Sequence, residues 1–257
     1  MQNTQQRIRE INDHGYNLDF GTTFDHAFII YKKTAVTAGL TFLLLGFIIS
    51  MILIGGLQSV IDVSNPENSL KNLNVLEFSS LGIIAYYIGI VLFTALISPL
   101  FAGLLKMSYY AETGQPFSIA TSFEYFKAPY FGKILLATLI ITVGLLPISL
   151  LSQFTQYPMV GAITNFAIQI FTILIIPLII FGKLDALEAI RGSFIIVSKK
   201  PFHIFLLIFV GSLFAICGLL GCCIGVFFTL PFVYNLYYSI YVHSVGIEVF
   251  SDKEDYI

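Results

Sequence analysis

The sequence predicts an all-α protein: a polytopic membrane helical bundle of six transmembrane helices, built as three repeats of an interfacial amphipathic helix followed by a helical hairpin. Of the 257 residues, 57% are hydrophobic and 11% are charged, whereas soluble domains carry about 25% charged residues. The apolar residues form continuous runs of bilayer length, about 20 residues each. Continuous runs favour helices over the alternating pattern of a membrane β-barrel. A third observation is that a similar amphipathic segment precedes every second run.

The domain organisation follows from the same pattern. Residues 1–17 are polar and are predicted to form a flexible cytoplasmic N-terminus. Residues 18–250 are predicted to form a single six-span membrane domain, with units at about 18–111, 112–182 and 183–250. Residues 251–257 are predicted to be a short cytoplasmic tail.

The first unit opens with the segment Leu18–Lys33, whose phenylalanines and tyrosine recur at helical spacing. Its apolar face is typical of an amphipathic helix. Such a helix lies in the headgroup plane or packs against the end of the bundle, and both alternatives stay open. Span one is predicted at Thr34–Leu57, a polar loop at Gln58–Phe78 and span two at Ser79–Leu105, which contains Pro99.

The second and third units follow the same order. Phe117–Lys133 and Leu184–Lys200 are the amphipathic segments. The predicted spans are Ile134–Leu151, Val160–Phe181 with Pro177, Pro201–Leu220, and Ile224–Val245 with Pro231, and the turn Ser152–Pro158 joins the first two. Pro201 is well placed to begin a helix, because its missing N–H has no partner in a first turn.

Self-comparison supports three repeats. A shift of 166 positions aligns Leu18–Lys33 with Leu184–Lys199, and six of the 16 aligned residues are identical: those at 18, 19, 28, 29, 30 and 33. A shift of 99 positions aligns Thr22–Asp25 with Thr121–Glu124. Conserved order and spacing favour triplication, while chance similarity between apolar stretches is the alternative.

The basic residues fix a predicted orientation. Twelve of the 13 lysines and arginines lie on one side of the predicted spans, and only Lys71 lies on the other. The positive-inside rule places that side, and both termini, in the cytoplasm. Membrane lipids are therefore expected partners. Anionic lipid of the inner leaflet is expected to contact the lysines at the ends of the amphipathic segments: Lys32, Lys33, Lys127, Lys133, Lys199 and Lys200.

The candidate site residues are polar groups within the predicted spans. Asn165 and Gln169 share a face of span four, because they are four positions apart, and Asn235 lies in span six. They contact a ligand or, alternatively, hydrogen-bond across helices. Span six also carries a stripe of Tyr234, Tyr237, Tyr238 and Tyr241. The stripe suits a groove for an apolar ligand or an interfacial tyrosine belt with helix packing.

Other chemistry finds little support in the sequence. The centres of the predicted spans contain no Asp, Glu, Lys or Arg, which argues against an ion-coupled transporter. Cys217, Cys222 and Cys223 have no histidine near them in the sequence, so they make neither a metal site nor an activated thiol. We expect no cofactor and no metal. A net charge of −2 gives no reason to expect a nucleic-acid partner.

The repeated pattern, AFIIYKK or SFIIVSKK before a span and then a proline-bearing span, resembles a loose, mostly uncharacterised group of bacterial six-span membrane proteins. The group includes the membrane domain attached to some glycerophosphodiester phosphodiesterases. The resemblance covers about Leu18–Phe250 and does not include a phosphodiesterase domain. It implies a bacterial inner-membrane location and supplies no catalytic residues.

Three functions fit these observations. The first is a non-enzymatic scaffold or envelope-organising protein, with an unidentified membrane protein as its partner. The second is a lipid or small-molecule transporter that lacks a buried ion-coupling carboxylate. The third is an intramembrane enzyme, which requires Asn165, Gln169, Asn235 and the tyrosines of span six to face one cavity. The sequence leaves the oligomeric state open.

Overall fold

All regular secondary structure in the described part of the chain is helical. The computed structural model describes residues 4–58, 80–154, 158–221 and 224–247. Five helical stretches among them are long and apolar enough to cross a membrane: Phe20–Met51, Ile84–Thr113, Tyr130–Leu151, Gly161–Ile180 and Pro201–Gly221. The chain is therefore an all-helical protein with the features of a membrane protein.

Ten α-helices are described, and two short 3-10 helices lie at Ile119–Phe126 and Gly218–Gly221. The α-helices are α1 Thr4–His14, α2 Phe20–Gln58, α3 Ser80–Thr113, α4 Tyr130–Phe154, α5 Pro158–Thr172, α6 Ile175–Ile180, α7 Ala186–Lys199, α8 Pro201–Cys217, α9 Ile224–Thr229 and α10 Pro231–Ser244. Most of the predicted loop Gln58–Phe78, part of the turn Ser152–Pro158, Cys222, Cys223 and the tail 251–257 lie outside the described residues.

The N-terminal segment differs from its prediction. Residues 4–14, expected to be flexible, form α1, which packs on α7. The hydrophobic side chains of Ile8 and Ile11 are buried, and the amide of Gln5 donates a 2.8 Å hydrogen bond to Glu188. Two isoleucines one turn apart are enough to hold a short helix when a partner helix covers them. The sequence did not predict this helix, because the segment is mostly polar.

The three predicted amphipathic segments all begin at a side-chain cap. The Thr22 amide donates to the Asp19 carboxylate over 2.8 Å, and the Asp185 amide donates to the Glu188 carboxylate over 3.4 Å. The Ser118 amide donates to the Thr121 hydroxyl over 3.2 Å. Such bonds satisfy amides that a helix start leaves without partners.

Beyond their caps the three segments differ. In the first, the expected interfacial helix and span one form one continuous helix, α2, of 39 residues. In the second, the segment is the 3-10 helix Ile119–Phe126, and in the third, α7 ends at Lys199 before α8 begins at Pro201. Proline interrupts helix hydrogen bonding. Ala35 occupies the position of α2 that corresponds to Pro201, which allows α2 to continue.

The apolar faces of the amphipathic segments are turned towards the bundle. Ala27 of α2 is buried, and Phe24, Phe28 and Tyr31 pack against the main core. In α7, Ala189, Ile196 and Val197 are likewise buried, while Leu187 stays 58% exposed. Both segments therefore pack on the bundle and still present some apolar surface outwards.

The sixth predicted span is interrupted. It consists of the short helix α9 and the longer α10, with the break before Pro231, and neither piece is long enough to cross a bilayer alone. α10 is the central helix of the bundle, packed against α2, α3, α6 and α8. Nine of its 14 residues are buried.

The buried core lies at one end of the bundle. We call it the lysine-rich end; it carries Lys32, Lys33, Lys127, Lys133, Lys199 and Lys200, and the other end is the opposite end. Packing is much sparser there: no residue is buried in 42–51 of α2, in 138–151 of α4 or in α9. The consecutive helices α3, α4 and α5 pack on one another, but α5 and α8 touch only slightly.

Candidate functional site: a polar cluster between α2, α3 and α10

The most concentrated chemistry in the described residues is a polar cluster at the lysine-rich end. It consists of His26 from α2, Glu112 from α3, and Tyr238 and His243 from α10. The start of α2 lies beside the end of α3, so residues 86 positions apart meet. The end of α10 lies against both.

Both oxygens of the Glu112 carboxylate are used. His26 Nε2 lies 3.1 Å from Oε1, and the Tyr238 hydroxyl donates a short hydrogen bond to Oε2. The rings of His26 and His243 are 5.1 Å apart in an edge-to-face arrangement. His243 Nδ1 lies 2.9 Å from the carbonyl oxygen of Ser239. A carbonyl oxygen only accepts, so this ring nitrogen carries the hydrogen.

The cluster sits at the boundary between core and exterior. The side chain of His26 is 21% exposed and that of Glu112 is 36% exposed, while Tyr238 is fully buried. His26 Nδ1 is buried and has no hydrogen-bond partner in the part of the chain that the structure describes. The pair therefore lies at the edge of the packed core, and its one contact joins the start of α2 to the end of α3.

A second polar layer lies deeper between the same three helices. The Asn235 amide nitrogen donates to the Thr34 hydroxyl over 3.0 Å, and the Ser108 hydroxyl donates to the Asn235 carbonyl over 2.6 Å. The Thr34 hydroxyl donates in turn to the carbonyl of Ile30 over 3.2 Å. All three side chains are buried. Asn235 thus joins α10 to α2 and α3.

The tyrosines of the predicted stripe lie inside the bundle, in two groups. Tyr234 stacks on Phe101 at 5.0 Å between ring centroids and meets Tyr237 at 5.7 Å. Tyr238 and Tyr241 pack on Phe181 at 5.6 and 5.7 Å. Because α10 is surrounded by helices, residues on several sides of it contact protein.

Asn165 and Gln169 do not join this site. Asn165 donates a 2.9 Å hydrogen bond to the carbonyl of Gly161 in its own helix, and Gln169 is exposed. Both belong to α5, which does not number among the main neighbours of α10. The polar residues that an intramembrane enzyme would require in one cavity therefore lie in separate places.

The six predicted lipid-contacting lysines divide into two sets. The Lys33 ammonium donates to the Ala111 carbonyl at 2.9 Å, and that of Lys133 lies 2.7 Å from the Asp185 carboxylate. No carboxylate contacts the other four within the described ranges, although Lys32 lies over the Phe28 ring at 5.2 Å. These four are Lys32, Lys127, Lys199 and Lys200.

Sequence reasoning missed His26 and Glu112 as a pair. It ended span two at Leu105, whereas α3 continues to Thr113, so Glu112 was assigned to a loop. It also missed the Lys106 ammonium, which lies 3.1 Å from the Glu124 carboxylate and 5.1 Å from the centre of the Tyr110 ring. Only a contact between distant segments reveals either pair, and composition gives no such signal.

The cluster has an acid–base pair and a hydrogen-bonding tyrosine. Residues 4–58, 80–154, 158–221 and 224–247 contain no group of three or more His, Cys, Asp or Glu side chains that could hold a metal ion. The arrangement ties α2, α3 and α10 together. Compared with models of known protein families, with curated proteins and with solved structures, the chain matches none.

Proposed function

We propose that this chain is a six-span protein of a bacterial inner membrane, with both termini in the cytoplasm. Five apolar helices support membrane insertion, and α9 with α10 supplies the sixth crossing as a broken helix. The strong asymmetry of lysine and arginine supports the orientation. The resemblance to bacterial six-span membrane proteins agrees with this assignment.

The threefold repeat belongs to the same proposal. The caps Asp19, Ser118 and Asp185 are separated by 99 and 166 positions counted from the first, and these are the shifts that align the sequence with itself. Each cap also bonds with the residue three positions later. Agreement between local geometry and sequence register supports duplication of one ancestral unit.

The activity that the geometry supports best is non-enzymatic: a membrane scaffold or organiser that binds lipid and a membrane-protein partner. The observation that supports it is the closed, densely packed lysine-rich end, where α10 fills the centre of the bundle. A packed centre offers no route for a solute. The lysine-rich end also presents a basic and apolar surface that fits an anionic lipid leaflet. Its basic groups are the exposed Lys32, Lys127 and Lys199, and its apolar groups are the exposed rings of Phe123, Phe126 and Phe202.

The orientation is tested by cysteine labelling in intact cells. Cys217, Cys222 and Cys223 are first replaced by serine. Single cysteines at Met159 and Leu220, which are 79% and 90% exposed, should react with an impermeant maleimide from outside. Cysteines at Lys127 and Leu187 should react only after permeabilisation. The reverse labelling pattern contradicts the proposed orientation.

The scaffold function is tested by native mass spectrometry of the protein gently extracted from its own membrane. A reproducible protein partner supports the scaffold. The matched variant replaces Lys32, Lys127, Lys199 and Lys200 by glutamine and should lose anionic lipid while keeping the fold, because none of these lysines has a carboxylate partner among the described residues. A retained small molecule without any protein partner contradicts the scaffold.

The sparse packing of the opposite end favours a transporter as the second candidate. Residues 42–51 and 138–151 contain no buried side chain, so this half has room for an amphiphile between helices. Flux of a labelled lipid or metabolite through reconstituted liposomes distinguishes the two candidates, because a scaffold gives none above protein-free liposomes.

A further inference from the structure

Gln169 is a polar side chain near the middle of an apolar helical stretch. It is the ninth residue of Gly161–Ile180, one of the stretches long enough to cross a membrane. The residue is exposed. Its backbone carbonyl accepts a 2.9 Å hydrogen bond from the Thr172 hydroxyl, but its side-chain amide bonds to no other group in the described segments.

An exposed amide at this depth needs a partner. A carboxamide has two donor hydrogens and an acceptor oxygen, and hydrocarbon leaves all of them unsatisfied, which is costly. Lipid headgroups cannot supply the missing hydrogen-bond partners. The headgroups lie about 15 Å from the centre of a bilayer whose hydrocarbon core is about 30 Å thick. The partner must therefore be protein or water at the same depth.

The surface around Gln169 has the form of a helix contact. Ala162, Phe166 and Gln169 follow at spacings of four and three and so share a face of α5. All three are exposed. Phe166 is 45% exposed and meets Phe205 of α8 at 6.4 Å between ring centroids. The Ala162 side chain is small, the Phe166 ring adds apolar surface, and the amide of Gln169 can hydrogen-bond to a second helix.

We propose that this face of α5 binds the same face of a second copy of the chain. Around a two-fold axis along the membrane normal, each Gln169 meets its counterpart at the same depth. The two Gln169 amides complement each other, because the NH2 group of each copy donates to the side-chain carbonyl oxygen of the other copy. Most oligomers of identical chains use such a two-fold contact, and amide side chains hydrogen-bond between membrane helices. The inference rests on α5 crossing the bilayer, which is part of the proposed function.

Cysteine cross-linking in liposomes tests the contact. In the chain with Cys217, Cys222 and Cys223 replaced by serine, Gln169→Cys should form a disulfide-linked dimer on mild oxidation. Ala167→Cys is the matched control: it is also exposed, lies two residues away at similar depth, and points about 160° away around the helix. It should stay monomeric. Equal cross-linking at both positions, or none at position 169, overturns the proposal.

Variants of the amide measure its contribution. Gln169→Leu removes both hydrogen bonds of the two-fold contact. It should weaken self-association about ninefold to 400-fold, the square of the threefold to twentyfold that corresponds to one interhelical hydrogen bond in a bilayer. Gln169→Asn should retain part of it. Both keep α5 helical, and leucine suits lipid, so loss of folding does not explain the result. A monomeric wild type at every protein-to-lipid ratio, or an unchanged Gln169→Leu dimer, overturns the contact.

Whether position 169 lies within the membrane is measured separately, by maleimide accessibility. Rapid reaction of the cysteine at position 169 with an impermeant maleimide, together with absent cross-linking, shows that the residue faces water. That result contradicts the span as well as the dimer. Slow reaction without cross-linking contradicts the dimer alone.

Discussion

The two ends of the bundle are built from similar apolar helices but pack very differently. In α10, at the lysine-rich end, nine of 14 residues are buried. In the 14 residues 138–151 of α4, towards the opposite end, none is buried. Both segments are apolar, so hydrophobicity alone does not explain the contrast. The difference lies in how many neighbours surround each helix.

This comparison shows where the stability of the bundle resides. At the lysine-rich end, side chains from four helices enclose α10. Hydrogen bonds of Asn235 and Tyr238 join it to α2 and α3. At the opposite end, lipid or a partner must cover the same kind of surface. Lipid tails are as apolar as leucine, so they replace side-chain contacts there at little free-energy cost.

The largest expected effect comes from removing a side chain of the central helix. Leu236 is fully buried in α10, and Leu236→Ala should lower the free energy of unfolding by about 2–5 kcal/mol, because the cavity it leaves is enclosed on all sides. Unfolding in mixed micelles with a rising fraction of dodecyl sulfate, followed by circular dichroism, measures the change.

Leu44→Ala is the control at the other end. Leu44 lies in α2 and is 43% exposed, so lipid or detergent fills the space left by its side chain. We expect a loss of about 0.5 kcal/mol or less, as for other surface substitutions. Equal losses in both variants contradict the difference between the two ends.

A second pair of variants compares two asparagines. Asn235→Ala removes the amide that joins α10 to Thr34 and Ser108 and should cost about 1–2 kcal/mol of unfolding free energy. The loss is limited because each hydroxyl lies 3.2 Å from a carbonyl oxygen of its own helix, that of Ile30 for Thr34 and that of Leu104 for Ser108. Each can donate to that carbonyl when the amide is gone. The same unfolding assay measures it.

Asn165→Ala serves as the matched control in α5. Its amide bonds only to the Gly161 carbonyl one turn earlier. Gly161 belongs to the same helix, so this bond joins no second helix to α5. The substitution should change the unfolding free energy by about 0.5 kcal/mol or less. If Asn165→Ala lowers the unfolding free energy more than Asn235→Ala does, Asn165 makes a hydrogen bond to another helix that is not seen among the described residues.

The polar cluster gives the third and smaller prediction. Glu112→Gln keeps a hydrogen-bonding group beside Tyr238 and removes the carboxylate charge that faces His26. Both partners are partly exposed, so the expected loss is about 0.5–1 kcal/mol. A double-mutant cycle with His26→Gln isolates the coupling. A coupling energy of zero in that cycle contradicts a direct contact between the two side chains.

Much of the fold followed from local sequence features. Apolar runs predicted spans that largely coincide with α2, α3, α4, α5–α6 and α8, and Pro201 begins α8 as its position indicated. Proline alone did not predict where a helix breaks. α3 continues through Pro99, where the Ser98 hydroxyl donates a 2.8 Å bond to the Ala95 carbonyl that proline leaves without an amide partner. α4 likewise continues through Pro147, whereas α9 ends at Thr229, before Pro231.

The candidate site was harder to predict because it depends on contacts between distant segments. The sequence singled out Asn235 and Tyr238, since both stand out in an apolar helix. It did not place His26 and Glu112 beside them, because each lies near the end of a helix, where charged residues are common. A Glu four residues beyond Ser108 on α3 shares the face that meets α10, and this spacing was the one local signal available.

The smallest predicted effect concerns the cap of α2, at the edge of the packed end. Hydrogen bonds from the amide and hydroxyl of Thr22 lower the pKa of the Asp19 carboxyl below its usual range. A lowered pKa means that the stabilisation is present above the ordinary aspartate range and is lost as the pH falls through the folded-state value.

Asp19→Asn keeps a capping group but does not titrate, so acid should affect it less than it affects the wild type. Hydrogen exchange of a peptide that contains Thr22, compared between the two proteins at each pH, removes the intrinsic pH dependence of exchange. The ratio of exchange rates should change only at acidic pH and only in that peptide, because α2 continues into the packed core beyond its first turn. An effect that extends to α10 contradicts the view that the core, rather than its caps, holds the lysine-rich end together.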